Sequence, residues 1–388
     1  MAKSNDREHF EDYRQQTQVK HEILAAYLPA YYHILKQGQK NLNFIDGFAG
    51  RGIYTKSETG ETFVGSPLLA LKLFSENAGF AKQVSTVFIE SDVVLFNQLN
   101  ENVEAFYSEH PEIRKPKCFH DTFSDRVNEI LDKTDGRLAP TFLFVDPCGV
   151  SGASFKTIQR VMDCDKCEVF IFFNIDGVRR VAGLEPLSNV LVELMGTRER
   201  AQDLYHDLRT TNDVRKREQM ILRHYFTALR EDIGAKYISP FRVEHEDQHK
   251  TSHYLIHATK HPLGFRIMKD VMWQRGHSED QAGGLELRQK GRTNFVPMFD
   301  IRADIKQSIL EVLRVGLLRV SVFYEEWTMR PDDLQCEAAY RQALLELEAA
   351  GKIEVLGKDG KNVTGAEERQ KRKGKPTLAK EYFVRLRT

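Results

Sequence analysis

The chain has 388 residues, and its 56 lysines and arginines balance 56 aspartates and glutamates. That length is enough for a sizeable core and roughly two to three domains. No run of about 18 apolar residues occurs, which excludes a membrane-spanning helix, and the polar start MAKSNDREHFEDYRQQ has no apolar core behind it, so a soluble, cytoplasmic protein is the expectation.

Five cysteines without a secreted framework point to free thiols in a reducing compartment. Only CDKC (Cys164, Cys167) has metal-like spacing, and no second pair sits where a tetrahedral site needs one, so no metal is expected.

In chain order, Ile23, Leu24, Tyr27, Leu28, Tyr31, Ile34 and Leu35 recur at helical spacing and predict a helix over 8–36, bent at Pro29. The apolar runs LNFID, VSTVFIE, TFLFVD and CEVFIFFN follow, separated by helix-like segments. This alternation predicts β and α units around a parallel sheet. A long helical stretch covers Leu187 to Arg230, then come two more strands, KYISPFRVE and SHYLIHATK, and a helix, GFRIMKDVMW.

The pattern changes near residue 299. DIRADIKQSILEVLR, VSVFYEEW and CEAAYRQALLELEAAGK read as three helices, and KIEVLGKDGKNV and LAKEYFVRL as two strands joined by a basic loop. Three helices and a two-stranded wing predict a winged helix-turn-helix over 299–388, after an α/β domain over 1–298. From Gly351 onward eleven Lys and Arg face five Asp and Glu, centred on RQKRKGK, which contains Lys371, Arg372 and Lys373. Such a cluster is either a solvated loop or a phosphate contact, and a winged helix can equally bind protein.

The stretch NFIDGFAGRGIY places Asp46, Gly47, Phe48, Ala49, Gly50 and Gly52 directly after the first strand. A glycine turn there lets the backbone pass close to a ligand, although G-x-x-G-x-G is neither a dinucleotide fingerprint nor a P-loop. Glu90 ends the second strand, where an acid reaches ribose hydroxyls or caps a helix. Asp121 follows the third strand, and Asp146, Pro147, Cys148 and Gly149 follow the fourth, so four acids fall at the carboxyl ends of successive strands.

This order, D-G-x-x-G-x-G, acid, acid and D-P-x-G, resembles class I S-adenosylmethionine-dependent methyltransferases. The resemblance implies a Rossmann-like sheet with helices on both faces and S-adenosyl-L-methionine as cofactor, with the loop Asp46 to Gly52 under its methionine moiety. It further implies Glu90 on the ribose, Asp121 near the adenine amino group and Asp146 facing the acceptor. VKHEILAAYLPAYYHIL, GSPLLAL, FIESD, FVDPCGVSG and HATKHPLGFRIMKDVMW, from Lys20 to Trp273, look like the bacterial three-Cys-motif partner protein family (TcmP). That likeness adds a three-Cys-motif protein as partner.

The expected acceptor is a nucleic acid, at a base amino group, although Cys148 and Gly149 replace the second Pro and the Tyr of a D-P-P-Y motif. Phe172 or Phe173 could supply the missing stacking, or both belong to the core. Cys148 is either a nucleophile, as in pyrimidine C5 methyltransferases, or a small structural thiol. Lys20 and His21 either touch the cofactor or acceptor or begin a helix; Arg179 and Arg180 are phosphate contacts or a solvated loop. Lys260 and His261 are placed at the site rim or serve a structural role. The rival to an enzyme is a non-catalytic regulator whose cofactor pocket is a sensor or relic.

Overall fold

The computed structural model describes residues 15–55, 60–184, 189–244, 251–278, 281–282, 286–287, 301–369, 371–372 and 375–387. The first helix, α1 (Gln15–Leu35), continues through Pro29. Its apolar face, including Ile23, Leu24, Tyr27, Leu28 and Tyr32, is buried, and this packing outweighs the hydrogen bond that Pro29 removes. Residues 8–14 of the expected helix lie outside the described residues.

Strands and helices then alternate: β1 (Leu42–Asp46), α2 (Ser66–Ser75), β2 (Val84–Glu90), α3 (Val93–Glu109), β3 (Lys117–His120), α4 (Phe123–Lys133), β4 (Thr141–Val145), α5 (Phe155–Met162), β5 (Glu168–Phe173) and α6 (Ile175–Leu184). The expected single helix over 187–230 is three: α7 (Asn189–Met195), α8 (Arg198–Leu208) and α9 (Val214–Glu231). Gly196, at φ +82°, ends the first, and the Thr197 and Asp213 side chains cap the next two by accepting from backbone N–H groups. Strands β6 (Tyr237–Glu244) and β7 (Thr251–Thr259) and helix α10 (Pro262–Arg275) complete this part.

With the short strand β8 (Glu286–Leu287), the sheet runs β3-β2-β1-β4-β5-β7-β6-β8. Strands β1 to β5 are mutually parallel, whereas β7 is antiparallel to both β5 and β6. This is a Rossmann-like, doubly wound order with one reversed strand inserted. The pleat sorts the central strands between two cores. Phe44, Phe142, Phe144 and Phe170 face α1, α2 and α10; Ile45, Leu143, Val145, Val169 and Ile171 face α4, α5, α8 and α9. Burial on both faces explains the continuous apolar runs.

Residues 301–387 form a second unit. Helix α11 (Ile301–Leu313) leads to a two-residue strand, Leu318–Arg319, then one π-helical turn (Val322–Glu326) and a 3-10 turn (Trp327–Met329) where one short helix was expected. Helix α12 (Glu337–Ala349) and strands Ile353–Leu356 and Phe383–Leu386 follow. The last strand is central, antiparallel to both others, so the sheet has three strands rather than the two legible in the sequence.

The two units share α10. Trp273 packs into the second unit's core with Ile305, Ile309 and Tyr340. Lys269 is fully buried, donates to the carbonyls of Thr328 (2.8 Å) and Asp333 (2.5 Å), and lies 4.0 Å from the Phe265 ring centroid. Burial lowers its titration to about 8, against the pull of Asp333 and other nearby groups.

Candidate active site

The carboxyl ends of β1 to β4 converge at one edge of the sheet. Asp46 is the last residue of β1 and is fully buried. Its Oδ1 accepts the Phe48 N–H (3.1 Å) and its Oδ2 the Ser66 hydroxyl at the start of α2 (2.6 Å). Burial pushes the Asp46 carboxyl up to about 7; the bonds from Ser66 and Phe48 oppose this, Asp146 adds to it and Lys20 reduces it.

The loop after Asp46 is tied to the neighbouring strands by its own backbone. Gly47 N–H donates to Phe144 O (3.0 Å), Ala49 N–H to Ile89 O (2.9 Å) and Gly50 N–H to Glu90 Oε2 (2.8 Å). Gly50 and Gly52 take left-handed φ values of +61° and +80°, which L side chains rarely adopt. Gly47 has a different reason: a Cβ there would lie 2.5 Å from the Phe123 ring.

Glu90 Oε1 accepts the Asp92 N–H (2.8 Å), and Asp92 in turn caps α3. Each Glu90 oxygen thus has one backbone donor and keeps acceptor capacity. Asp121 accepts from Thr122 N–H (2.9 Å) and pairs with Arg126 (2.9 Å), whose guanidinium lies over the Phe119 ring. Its charge is therefore already matched.

Asp146 follows β4 directly and pairs with Lys20 of α1, both mostly buried. The Lys20 ammonium also lies 4.8 Å from the Phe172 ring centroid, and Phe172 stacks on His253 at 4.1 Å. Phe172 is thus at the site, already engaged by both groups, whereas Phe173 is buried against Tyr225 and belongs to the core. His21, beside Lys20, is buried and held well below the ordinary histidine range by that burial and by the Lys20 charge.

Several expected site residues are placed differently. Cys148 is exposed, yet crowding by the surrounding protein and the Asp146 and Glu90 carboxylates push its thiol up to about 12, which disfavours the thiolate a nucleophile requires. Arg179 points inward, donating to Thr251 O (2.9 Å) and lying 3.5 Å from the buried Glu218; a phosphate contact would have to break that pair. Arg180 is exposed.

His261 caps α10, accepting the Leu263 N–H. Because β7 is antiparallel, Lys260 and His261 lie at the opposite end of the sheet from the acids. The block 257–273 is instead a structural lock. His257 (2.9 Å), Thr259 (2.8 Å) and Tyr27 (2.5 Å) all meet the buried Glu168 carboxylate, and a Cβ on Gly264 would lie 2.3 Å from its Oε1.

In the second unit, Lys371–Arg372 pairs with Lys375–Pro376 as a short hairpin; Lys373 lies outside the described residues. Arg369, in the same basic run, is buried and paired with Glu348. Helix α12 carries Glu337, Glu346 and Glu348 against Arg341 alone, and the Asp270 carboxylate accepts its first N–H, that of Glu337. One of the free N–H groups at the N-terminal end of α12 is thereby taken.

Two contributors went unassigned at the sequence level. Ser66 is part of the GSPLLAL motif, and its role appears only once α2 starts beside Asp46. Tyr54 lies in a hairpin (Ile53–Thr55 with Thr62–Val64) folded over the glycine loop: a Cβ on Gly50 would meet its Oη at 2.5 Å, and one on Gly65 its Cε2 at 2.8 Å. Burial and the charges of Asp146, Asp46, Cys148 and Glu90 raise its titration. An aromatic two residues beyond a glycine turn was the available signal.

The chain matches no protein-family model. No curated protein matches it. Among solved structures it is similar to protein LPL1258 of Legionella pneumophila, of family-model DUF519, at 13% identity and a TM-score of 0.40, covering 68% of this chain and 92% of that one. It is similar also to the plantazolicin methyltransferase BamL in complex with a triazolic desmethylPZN analog and SAH (9% identity, TM-score 0.35, covering 73% and 88%). An rRNA methylase from Streptococcus thermophilus follows, at 10% identity and a TM-score of 0.25, covering 60% and 96%. These likenesses are too remote to transfer an activity, cofactor or substrate.

Proposed function

We propose that this chain is an S-adenosylmethionine-dependent methyltransferase acting on a nucleic acid, with a winged-helix unit over 299–388 attached to a catalytic unit over 1–298. The observation that carries the reading is the convergence of Asp46, Glu90, Asp121 and Asp146 at the carboxyl ends of β1 to β4, beside two left-handed glycines. The donor set fits the cofactor: Glu90 retains acceptor capacity for two ribose hydroxyls, and the glycine loop from Asp46 to Gly52 runs beside it, joined to it through the Gly50 N–H.

When bound, the cofactor supplies a methyl group on a cationic sulfur. A cation bound beside Asp46 would favour the ionised form of its carboxyl. Asp146 accepts a hydrogen bond from the acceptor's amino group, and Lys20 must yield its place on that carboxylate as the acceptor enters. Pro147 limits the backbone freedom of that turn. Positioning of this kind provides much of the rate enhancement.

The acidic residues of α12 and its cap by Asp270 favour contact through the wing's cations, including Lys371 and Arg372, rather than through the helix. They also favour a second role for that unit in binding a protein, of the three-Cys-motif kind. Calorimetry with S-adenosylmethionine on the wild type, Asp46→Ala and Glu90→Ala tests the first part: micromolar binding lost in both variants is expected, and a folded wild type that binds none refutes it. For the second part, nucleic-acid binding should weaken steeply with salt, and the joint change of Lys371 and Arg372 to Ala should lower that slope by about 2. An unchanged slope would remove the wing from the interface.

A further inference from the structure

The Asp146 carboxylate belongs to a platform that crosses three strands. In the register of β4 and β5, Val145 is opposite Ile171, so the next residues, Asp146 and Phe172, stand side by side at the acid edge. Phe172 is in turn opposite Leu255 of β7, and His253, two residues from Leu255, projects from the same face. The His253 ring lies flat on that of Phe172, with 4.1 Å between centroids and 11° between planes, and both residues are half-buried. With His253 against one face of the Phe172 ring, the Lys20 ammonium lies over the ring, 4.8 Å from its centroid, and is also the partner of Asp146. One cation thus fills two places at once, on the carboxylate and on the ring.

Those two contacts prescribe what can replace it. A planar ring with an exocyclic amino group matches both, its N–H groups donating to Asp146 and its face stacking where the ammonium was. An alkylammonium makes the same contacts, but a carboxylate beside it holds its proton, and without a lone pair it cannot accept a methyl group. The amino group of a nucleobase is uncharged and meets both requirements. The place is also recessed, since the Lys20 and Asp146 side chains are 7% and 19% exposed. A base paired within a duplex cannot bring its amino edge there, so the ring must arrive unpaired.

We propose that the acceptor is an unpaired, amino-bearing base of a single-stranded nucleic acid, which stacks on Phe172 in the place that Lys20 occupies. The inference rests on the methyltransferase reading for Asp146 as the acceptor's partner, and its test needs no methyl transfer. Phe172 supplies the aromatic ring that D-P-C-G lacks, and Lys20 competes with the base for that ring and for the carboxylate.

The probe is a short single-stranded oligothymidylate carrying one 5-iodocytosine, which keeps the exocyclic amine and cross-links on irradiation to an aromatic residue stacked on it. The full-length protein is irradiated with the probe and digested with trypsin, and the attachment site is read by mass spectrometry. Attachment is expected within peptide 167–179, at Phe172. An unmodified oligonucleotide with cytosine at that position should compete, and an all-thymine one, which lacks the amine, should not. By fluorescence anisotropy of a fluorescein-tagged probe, Phe172→Leu should bind roughly 5- to 150-fold more weakly, the range of one lost base–aromatic stack. Phe172→Tyr should keep the affinity, and Lys20→Ala, which clears the ring, should bind at least as tightly as the wild type. No cross-link in the wild type, attachment only outside that peptide, or equal competition by thymine would overturn the proposal. Calorimetry with S-adenosylmethionine separates the two readings. A wild type that binds the cofactor but leaves Phe172 unmarked sinks the ring site alone, whereas one marked at Phe172 that binds no cofactor keeps the ring site and sinks the methyltransferase. The wild-type map decides this even if a variant fails to fold.

Discussion

Asp46→Asn provides a quantitative test of the buried carboxylate. Asp46 is fully buried and titrates at about 7 rather than 3.8, because burial outweighs the hydrogen bonds from Ser66 and Phe48. Moving a titration that far corresponds to about 4 kcal/mol. The native state therefore holds a proton between about pH 4 and 7 that the unfolded chain has lost, so stability falls as pH rises through that window and levels off above it. Asn has no such titration and keeps one acceptor oxygen for the two donors. Relative to Asp46→Asn, the wild type should lose about 3 kcal/mol between pH 4.5 and pH 8, measured by urea unfolding of the cofactor-free protein. Parallel pH dependences for the two proteins would refute the reasoning. Ser66→Ala supplies a check of sign: removing a donor to the ionised form should cost more at pH 8 than at pH 5.

Lys20→Ala should leave Asp146 without its cation, reducing stability by about 2–3 kcal/mol after allowance for the carboxylate's partial exposure, while S-adenosylmethionine binding and methyl transfer both persist, because Lys20 has to leave that carboxylate for the acceptor to enter. Urea unfolding beside calorimetry and a labelled-methyl assay would show that split. Gly264→Ala should cost about 1–3 kcal/mol, because its Cβ would press on Glu168 and Tyr27; unchanged thermal unfolding would contradict the lock. Lys269 titrates at about 8, below its ordinary value of 10.5, so the unfolded chain binds the extra proton between those values and stability should rise with pH there, by up to about 3 kcal/mol relative to Lys269→Met. Equal pH dependences from 8 to 10.5 would show that the ammonium is not buried as described.

The sequence by itself determined the alternation of strands and helices, because burial on both faces of a parallel sheet demands continuous apolar runs such as TFLFV. It also placed Asp46, Glu90, Asp121 and Asp146 at strand ends, since each acid directly ends or follows such a run. Partnership was not legible, because it links residues far apart in the chain. Lys20 reaches Asp146 across 126 positions and His257 reaches Glu168 across 89. The reversal of β7 was equally hidden, as a run of apolar residues does not encode direction, and that reversal carries Lys260 and His261 away from the acids. Arg179 was legible only as a charge, a phosphate contact or part of a solvated loop; only the fold brings Glu218 beside it. Local pattern sets which segments become strands and where they end, while tertiary packing alone decides which charges neutralise one another and which remain to meet a ligand.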